Sequence, residues 1–313
     1  MPLDDTLAFS VFRLLAMSVS ITGNSLILFV VLANPKIKRR GTNLLFAQLA
    51  FADLVIGVGT GIRGISAIVF DSNGAKSFDR GLCLVLGSPT VLGIHLSQTT
   101  MMAIAIDRFL CIQYPFVYRN LETIRFCGTR FLVCVLFSLL GTFAPYAAFP
   151  GGELSDLCST GSSIPFWYAF YWMVFGTVFT LSIFVLYSVI YIIYKRSLAH
   201  RRVASQRHIF ATISVILVFY CVLSFVPNVI LVVINLAAMS SDVYGHVSLL
   251  IAVGSALNAT GNVFIYGFKL PELKAEICRI FRLVWRIVSC SRPSLLNVSM
   301  TKSSKNYREA TKS

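Results

Sequence analysis

The sequence predicts an all-α membrane protein, a bundle of seven transmembrane helices followed by a short amphipathic helix. Of its 313 residues, 56% are hydrophobic and only 13% are charged, whereas soluble domains average about 45–50% and about 25%. The apolar residues fall into seven blocks long enough to cross a bilayer, which takes about 20 residues per helix. Each block must be helical, because lipid offers no partner to free backbone groups.

The seven blocks follow one another with short polar breaks and without an internal repeat. Their approximate spans are 9–33, 43–70, 82–114, 126–149, 165–194, 208–236 and 246–268. We therefore expect an extracellular N-terminal segment 1–8, a seven-helix domain 9–268, a cytoplasmic amphipathic helix 269–290 and a disordered cytoplasmic tail 291–313.

The charges of the loops predict the orientation, because cytoplasmic loops carry an excess of Lys and Arg. Alternate loops are basic, with Lys36, Lys38, Arg39, Arg40, Arg119, Arg125, Arg130, Lys195, Arg196, Arg201, Arg202 and Arg207. The remaining loops carry the acids Asp71, Asp79, Glu153, Asp156 and Asp242. We expect a multi-pass plasma-membrane protein with its N-terminus outside and its C-terminus in the cytoplasm. The net charge of +14 is explained by this bias and by attraction to anionic membrane lipid. It therefore does not imply a nucleic-acid partner.

An Asp107-Arg108 pair lies at the cytoplasmic end of the third block, where exposure to lipid is costly. Cys83 lies 24 residues earlier, which is ~36 Å of helix at ~1.5 Å per residue and places it at the outer mouth. Cys158 lies in the next outer loop. Only these two of the eight cysteines fall in an oxidising compartment. They predict either a disulfide that pins this loop over the third helix or two free thiols.

Polar side chains recur at one depth of the predicted bundle. Asp53 is the only acid placed deep within a helix, and Asn24, Ser97, Asn258 and Asn262 lie at comparable depth. Intramembrane ionisable residues usually face the bundle interior and are functional candidates. Oxygen ligands around one carboxylate suit a hard cation. The alternative is a structural polar network without an ion.

From Phe9 to about Cys290, the chain resembles the rhodopsin-like, class A G-protein-coupled receptors. The matching motifs are Gly23-Asn24, LAFADL with Asp53, Cys83, DRF at 107–109 followed by YPFVY, FVP ending at Pro227, and NVFIY from Asn262 to Tyr266. The short N-terminus, the compact loops and IDRFLCIQYPFVYRN are similar to nematode chemosensory receptors, particularly the serpentine receptor class sx group.

The resemblance implies a receptor that binds an extracellular ligand in the outer helical bundle and activates a heterotrimeric G protein. At rest Arg108 is then held by Asp107, and it meets the Gα subunit once helix six moves outward. The alternative is an interfacial ion pair that anchors the helix end. Further residues of the implied activation switch are Phe109, Phe225, Pro227, Asn262 and Tyr266. The implied sodium site comprises Asp53, Ser97, Asn258 and Asn262, with Asn24 in support. Arrestin and a receptor kinase are the partners expected at the tail.

The sequence departs from the class pattern in helices six and seven. Val263 replaces the usual proline after Asn262, so we expect this helix to bend less, and Phe225 stands where a tryptophan is common. No acid braces Arg108 from the base of helix six, where Arg207 and His208 stand. Because like charges repel, we expect no ionic lock between helices three and six, and appreciable activity without an agonist.

Ligand sites in helical bundles form between the helices. The candidates are Arg63, Thr90, His95, Phe225 and Asn228. Arg63 suits a ligand carboxylate or phosphate, or it pairs with one of the outer-loop acids Glu153, Asp156 and Asp242, or it extends to the interface. His95 is either a ligand contact or a hydrogen-bonded interior histidine. Thr90 stands where amine receptors carry an aspartate, which opposes a monoamine ligand.

The stretch KLPELKAEICRIFRLVWRIVSC follows Tyr266 and places apolar and basic residues on opposite faces of a helix. It predicts an amphipathic helix on the inner leaflet, with Cys290 as a candidate for palmitoylation; the alternative is an unmodified cysteine.

Three function classes are compatible with these features. A chemosensory receptor for a small molecule fits the resemblance, and a neuropeptide receptor is the alternative, because acidic outer loops would attract a basic peptide. A seven-helix transporter or channel is more distant, since we find neither repeated halves nor broken paired helices. We expect no enzyme, because the four histidines have no metal-ligand spacing and no nucleophile motif is present.

Overall fold

The seven-helix bundle is confirmed by the computed structural model, which describes residues 7–39, 41–121, 123–148, 152–156, 158–198, 207–236, 241–269 and 271–290. Within that part of the chain, seven helices are long and apolar enough to cross a membrane. The predicted tail, most of the segment 1–8 and the side chain of Cys290 lie outside this description.

The α-helices lie close to the predicted spans. They are α1 Leu7–Ala33, α2 Pro35–Lys38, α3 Gly41–Ser72, α4 Arg80–Gln113, α5 Pro115–Leu121, α6 Ile124–Phe143, α7 Thr160–Ser163, α8 Phe166–Leu198, α9 Arg207–Tyr220, α10 Val226–Leu236, α11 Ser241–Lys269 and α12 Pro271–Cys290. A 3-10 turn at Ala144–Ala148 extends α6, and a π-helical turn at Cys221–Phe225 joins α9 to α10. The first to seventh spans are therefore α1, α3, α4, α6, α8, the joined α9–α10, and α11.

Capping side chains and a proline set the bounds of the third and fourth spans. The Asp79 carboxylate accepts a hydrogen bond from the Leu82 N–H at 2.7 Å and so begins α4. Thr123 accepts one from the Phe126 N–H at 3.2 Å and begins α6. Pro115 ends the third span, because proline cannot continue the helical ladder but is well suited to the first turn of α5.

The sixth span widens into its π turn just before Pro227. Proline lacks an N–H and its ring clashes with the carbonyl four residues earlier, which belongs to Leu223. A widened turn relieves that clash. The Leu223 carbonyl lies against Gly254 of the seventh span, where any Cβ would collide with it.

The seventh span is an unbroken helix through Val263, the position where the class usually has proline. The Val263 side chain packs against Gly23 of the first span, and a Cβ at Gly23 would lie 2.7 Å from Val263 Cγ2. Gly23 is therefore required for the close approach of these two helices.

The second and third spans occupy the centre of the bundle. The second packs against the first, third and seventh spans, and the third packs against the fourth and fifth. Large apolar side chains such as Leu15, Leu140 and Phe166 are more than 60% exposed. Such an apolar outer surface is typical of helices that face lipid.

One small element departs from the all-α prediction. Phe78–Asp79 (β1) pairs antiparallel with Leu154–Ser155 (β2), and Arg80 forms an ion pair with Glu153 beside it. The predicted Cys83–Cys158 disulfide is present next to this ribbon, which confirms that pairing. We call the end of the bundle that carries the disulfide the outer end, and the end that carries Asp107 the inner end.

Candidate functional site

A cavity of about 50 Å³ lies at the outer end, between the first, second, third and seventh spans and α7. Its lining residues are Phe12, Arg13, Thr60, Arg63, Thr90, Ser159, Thr160, Leu249, Ala252, Val253 and Ala256. We call it the polar cavity. The disulfide positions part of its wall, because Ser159 and Thr160 directly follow Cys158.

Arg63 is buried in this wall, with 8% of the residue exposed. Its guanidinium donates a hydrogen bond to the Cys158 carbonyl, and Nη1 lies 3.4 Å from Cys158 Sγ. Burial excludes the alternative in which Arg63 extends to the interface. Glu153, one of its expected partners, pairs with Arg80 instead, and the side chain of Asp242 lies outside the described residues.

Arg13 is a second arginine in the same wall, and it was not among the predicted ligand candidates. It is 5% exposed, and its guanidinium carbon lies 4.4 Å from the centroid of the Phe9 ring. Its Cβ packs against Gly64, where an added Cβ would lie 3.1 Å away. A charge inside an apolar block is a signal for this residue, but the sequence does not say whether such a charge turns inward.

A second, largely apolar cavity of about 50 Å³ adjoins the first. The two share Thr90, Thr160 and Ala252. The remaining walls of this apolar cavity are Val91, Ile94, Gly161, Ile164, Tyr168, Trp172, Leu231 and Ile251. A ligand with one polar and one apolar part could therefore occupy both.

Of the five ligand candidates, Arg63 and Thr90 line these cavities, whereas His95, Phe225 and Asn228 lie elsewhere. His95 is fully buried, bonded to the Val91 carbonyl at 3.0 Å and 3.3 Å from the Tyr171 hydroxyl. It therefore has the surroundings of an interior histidine.

The other two candidates pack between helices. Phe225 packs on Phe184 with their ring centroids 5.6 Å apart. The Asn228 amide donates to the Ser224 carbonyl at 2.8 Å. Counting residues gave the depth of these side chains but not the face of the helix on which they lie.

Asp53 is fully buried at the centre of the bundle. Asn262 of the seventh span donates to Asp53 Oδ2 at 2.9 Å, and Ser20 donates to the Asp53 carbonyl at 2.9 Å. Asn24 donates to the Ser20 carbonyl at 2.9 Å and to the Ala259 carbonyl at 3.4 Å. These bonds join the first, second and seventh spans.

Several buried oxygen atoms of this polar set have no hydrogen-bond partner among the described residues. They are Asp53 Oδ1, Asn24 Oδ1, Ser97 Oγ, Asn258 Oδ1 and Asn262 Oδ1. Buried polar atoms are nearly always satisfied by protein, water or an ion. A carboxylate, amide oxygens and a hydroxyl are hard oxygen ligands, so the residues predicted for sodium fit such an ion.

At the inner end, Asp107 and Arg108 form a buried ion pair. Arg108 is 2% exposed and donates from Nε to Asp107 Oδ2 at 3.1 Å. Its Nη2 also donates to the Thr42 hydroxyl at 2.7 Å and to the Tyr118 hydroxyl at 3.2 Å. The guanidinium is therefore fixed by the third span, the start of the second span and α5.

Asp107 holds two further groups that sequence reasoning missed. Arg130 donates to Asp107 Oδ1 at 3.0 Å, and Tyr118 donates to Oδ2 at 3.2 Å. Arg130, which was counted among the basic loop residues, lies instead within α6, and a charge inside an apolar block is again a signal for an inward side chain. The side chains of Arg207 and His208 lie outside the described residues, so the expected absence of an ionic lock stays a prediction.

The remaining switch residues surround this region or lie above it. Phe109 packs edge-on against Tyr114 at 6.2 Å. Tyr266 is fully buried, and its ring centroid lies 5.6 Å from that of Phe46. Pro227 follows the π turn of the sixth span.

The amphipathic helix is α12, which packs against α1 and α11. Leu273 is buried against the bundle, while Phe281 and Trp285 are 62% and 74% exposed. Arg279 pairs with Glu276 at 3.6 Å. Exposed aromatic and basic side chains on one helix suit a membrane surface.

The sequence is similar to that of known membrane receptors over most of its length. A family model described as a serpentine type 7TM GPCR chemoreceptor, Srsx, matches residues 17–281. Neuropeptide FF receptor 1 of Rattus norvegicus is 32% identical over 117 residues, which cover 37% of this chain and 25% of that receptor. Galanin receptor 2b of Danio rerio is 29% identical over 146 residues, covering 46% and 37%.

Cannabinoid receptor 2 of Mus musculus is 26% identical over 187 residues, which cover 58% of this chain and 50% of that receptor. The chain thus spans between a quarter and a half of the length of these curated relatives.

Proposed function

Since the chain belongs to the Srsx family of serpentine seven-transmembrane G-protein-coupled chemoreceptors, we propose that it senses a small molecule and activates a heterotrimeric G protein. The ligand enters the polar cavity and its apolar neighbour, and the basic loops and tail face the cytoplasm. The observation that carries this proposal is the buried, multiply bonded Arg108 at the end of the bundle opposite the cavities.

These contacts support the following switch. At rest, Asp107, Thr42 and Tyr118 hold Arg108 inside the bundle. An outward movement of the sixth span opens the inner end, and Arg108 then leaves these partners for the Gα subunit. Arginine suits both states, because its charge is permanent and its donors form a rigid fork.

A neuropeptide receptor is the second candidate, because several of the matched relatives, among them neuropeptide FF receptor 1 and galanin receptor 2b, carry peptide names. The outer end favours a small molecule over a basic peptide. Glu153 is already paired with Arg80, and Asp79 already accepts from the Leu82 N–H. Arg80 therefore offsets the charge of Glu153, and the Leu82 N–H occupies one oxygen of Asp79, which leaves fewer acceptors for a basic peptide.

We expect agonist-free activation of at least one Gα subtype by the wild-type receptor, and loss of that signal in Arg108→Ala. The reason is that no helix-six acid restrains Arg108, whose charge makes the contact with Gα. The measurement is Gα activation across a panel of subtypes in transfected cells, at matched surface expression.

The matched control is Arg119→Ala, which removes an exposed arginine of α5 and should leave basal activity near that of the wild type. Signals from the wild type no higher than in untransfected cells would contradict the prediction of basal activity. A response retained in Arg108→Ala would contradict the role of Arg108.

We further propose that Asp53, Ser97, Asn258 and Asn262 hold a sodium ion, with Asn24 in support. The ion supplies positive charge to a carboxylate buried away from water, where an unpaired charge is costly. It thereby favours the resting packing of the second, third and seventh spans.

Sodium chloride is expected to raise the thermal unfolding midpoint of the purified receptor above that in choline chloride of equal concentration. Binding at ten times the dissociation constant contributes about 1.4 kcal/mol. Asp53→Asn should lose this sodium-specific increase, whereas Asp71→Asn, which changes an exposed outer acid, should keep it. An equal increase in wild type and Asp53→Asn would exclude sodium binding at Asp53.

A further inference from the structure

We propose that a groove at the inner end, between the first span, α2 and α12, binds one anionic phospholipid. The head group contacts Lys36 and Arg279, and an acyl chain lies against Phe29 and Leu283. The inner end faces the cytoplasmic leaflet in the orientation proposed above. The binding itself involves neither the extracellular ligand nor the G protein, so the purified receptor is enough to measure it.

This space, which we call the inner groove, has a volume of about 570 Å³. That volume falls within the range of roughly 300–1,000 Å³ that is typical of small-molecule sites. Its lining residues are Phe29, Val30, Ala33, Asn34, Pro35, Lys36, Glu276, Arg279, Ile280 and Leu283. Phe29 and Leu283 are 62% and 49% exposed, so the inner groove borders the apolar outer surface of the bundle. An occupant can therefore enter it from the bilayer.

Basic side chains flank the inner groove on two sides. Lys36 of α2 and Arg279 of α12 line it and are exposed, and Arg39 follows Lys36 at the end of α2. Arg282 and Arg286 lie three and seven residues after Arg279 and share its face of the helix. The cytoplasmic leaflet carries anionic lipids, and each base near its surface adds to the attraction. Positive charge from α2 and α12 therefore favours a negatively charged head group.

Glu276 adds an acid to the same wall. Its carboxylate lies 3.6 Å from the Arg279 guanidinium, and the two side chains are 30% and 68% exposed. Exposed ion pairs of this kind contribute little to stability. A lipid phosphate can therefore replace the carboxylate beside Arg279, and Glu276 should weaken lipid binding without preventing it.

The backbone that carries Lys36 is held in place before a lipid arrives. Asn34 Oδ1 accepts a hydrogen bond from the Lys36 N–H at 3.0 Å, which begins α2, and Pro35 is well suited to the first helical position. The Asn43 amide donates to the carbonyl of the buried Ile37 at 3.1 Å. The Lys36 side chain remains exposed, so its stem can lie along apolar surface while its ammonium group meets the head group.

A lipid suits the inner groove better than the end of the chain does. The sequence after Cys290 is itself basic, with one acid, Glu309, against Arg292, Lys302, Lys305, Arg308 and Lys312. Its charge would be repelled by the bases of α2 and α12. An anionic phospholipid supplies both the opposite charge and the apolar chain that the two kinds of wall require.

The test counts the lipids bound to the purified full-length receptor by native mass spectrometry. Dioleoyl phosphatidylserine should bind in a first, one-to-one step at least about tenfold more tightly than dioleoyl phosphatidylcholine, because two bases contact its net negative head group. Lys36→Gln and Arg279→Gln should each weaken this step about fivefold, the effect of one base near an anionic lipid. Glu276→Gln should strengthen it about twofold or more, because Arg279 then has no competing carboxylate.

Lys274→Gln is the matched control, because it removes an exposed base of α12 that lies ~140° around the helix from Arg279. It should change the affinity less than about twofold. Arg279→Lys keeps the charge and should retain most of the binding, which separates loss of charge from a disturbed helix.

Glycerophosphoserine carries the same head group without acyl chains, and it should not compete with phosphatidylserine. The proposal is overturned if the two lipids bind the wild type equally, or if Lys274→Gln weakens binding as much as Arg279→Gln does. It is also overturned if glycerophosphoserine competes as well as the lipid, because the apolar wall would then contribute nothing. Failure of G-protein coupling would be seen separately, in the Arg108→Ala comparison.

Discussion

Cys83→Ser is expected to remove most of the receptor from the cell surface and to destabilise what remains. The disulfide closes a loop between residues 75 positions apart, and loop-closure entropy for that length corresponds to about 4.5 kcal/mol at 25 °C. Its loss also releases Cys158, whose carbonyl accepts from Arg63. The measurements are surface labelling in cells and the thermal unfolding midpoint of the solubilised protein.

The double variant Cys83→Ser/Cys158→Ser tests whether the effect comes from the bond. Both single variants and the double variant should show the same loss of surface labelling and the same decrease in thermal unfolding midpoint, because each removes the same cross-link. Cys278→Ser, which changes an exposed cysteine of α12, is the control and should resemble the wild type. Additive losses in the double variant would contradict the explanation.

The seven spans could be predicted because a bilayer imposes a length and an apolarity that a single sequence displays directly. Cys83 and Asp53 could be placed for the same reason, since depth follows from counting residues along a helix. Rotation about the helix axis does not follow from such counting when most faces are apolar. His95 and Asn228 therefore sit at a plausible depth but line neither outer cavity.

Unknown rotation about the helix axis also explains why Arg13 was missed. An arginine near the outer end of an apolar block reads equally well as an interfacial residue that extends to water. Its burial and the close packing of its Cβ against Gly64 show that it turns inward. The small β ribbon was also missed, because two residues per strand are too few to show an alternating pattern.

At the inner end the sequence predicts only the Asp107–Arg108 pair, whereas the structure shows a network of hydrogen bonds around it. Sequence neighbours such as Asp107 and Arg108 are visible at once, whereas Thr42 and Tyr118 come from other elements and are brought together by helix packing. The π turn before Pro227 also depends on a residue of another helix, because Gly254 leaves room for the Leu223 carbonyl.

Asp107→Asn is expected to raise agonist-free signalling strongly, by tenfold or more where the wild-type signal leaves room. Asparagine keeps the shape of the side chain but removes the charge that binds Arg108, Arg130 and Tyr118. Removing one partner of a buried ion pair costs about 3–5 kcal/mol, and ~1.4 kcal/mol corresponds to a factor of ten in an equilibrium. The cost falls mainly on the resting state, because only there is Arg108 enclosed with Asp107.

Two companion variants separate this explanation from a general loosening of the fold. Arg130→Gln removes one partner of Asp107 without touching Arg108, so its basal signal should rise less than that of Asp107→Asn. Asp107→Asn/Arg108→Ala should fall to background, because the released charge is what Gα contacts. A basal signal of Asp107→Asn equal to that of the wild type, at matched surface expression, would mean that Thr42 and Tyr118 suffice to hold Arg108. The carboxylate would then serve to bind Arg130 and anchor the fourth span, and the restraint on activation would have to come from the contacts at the start of the second span.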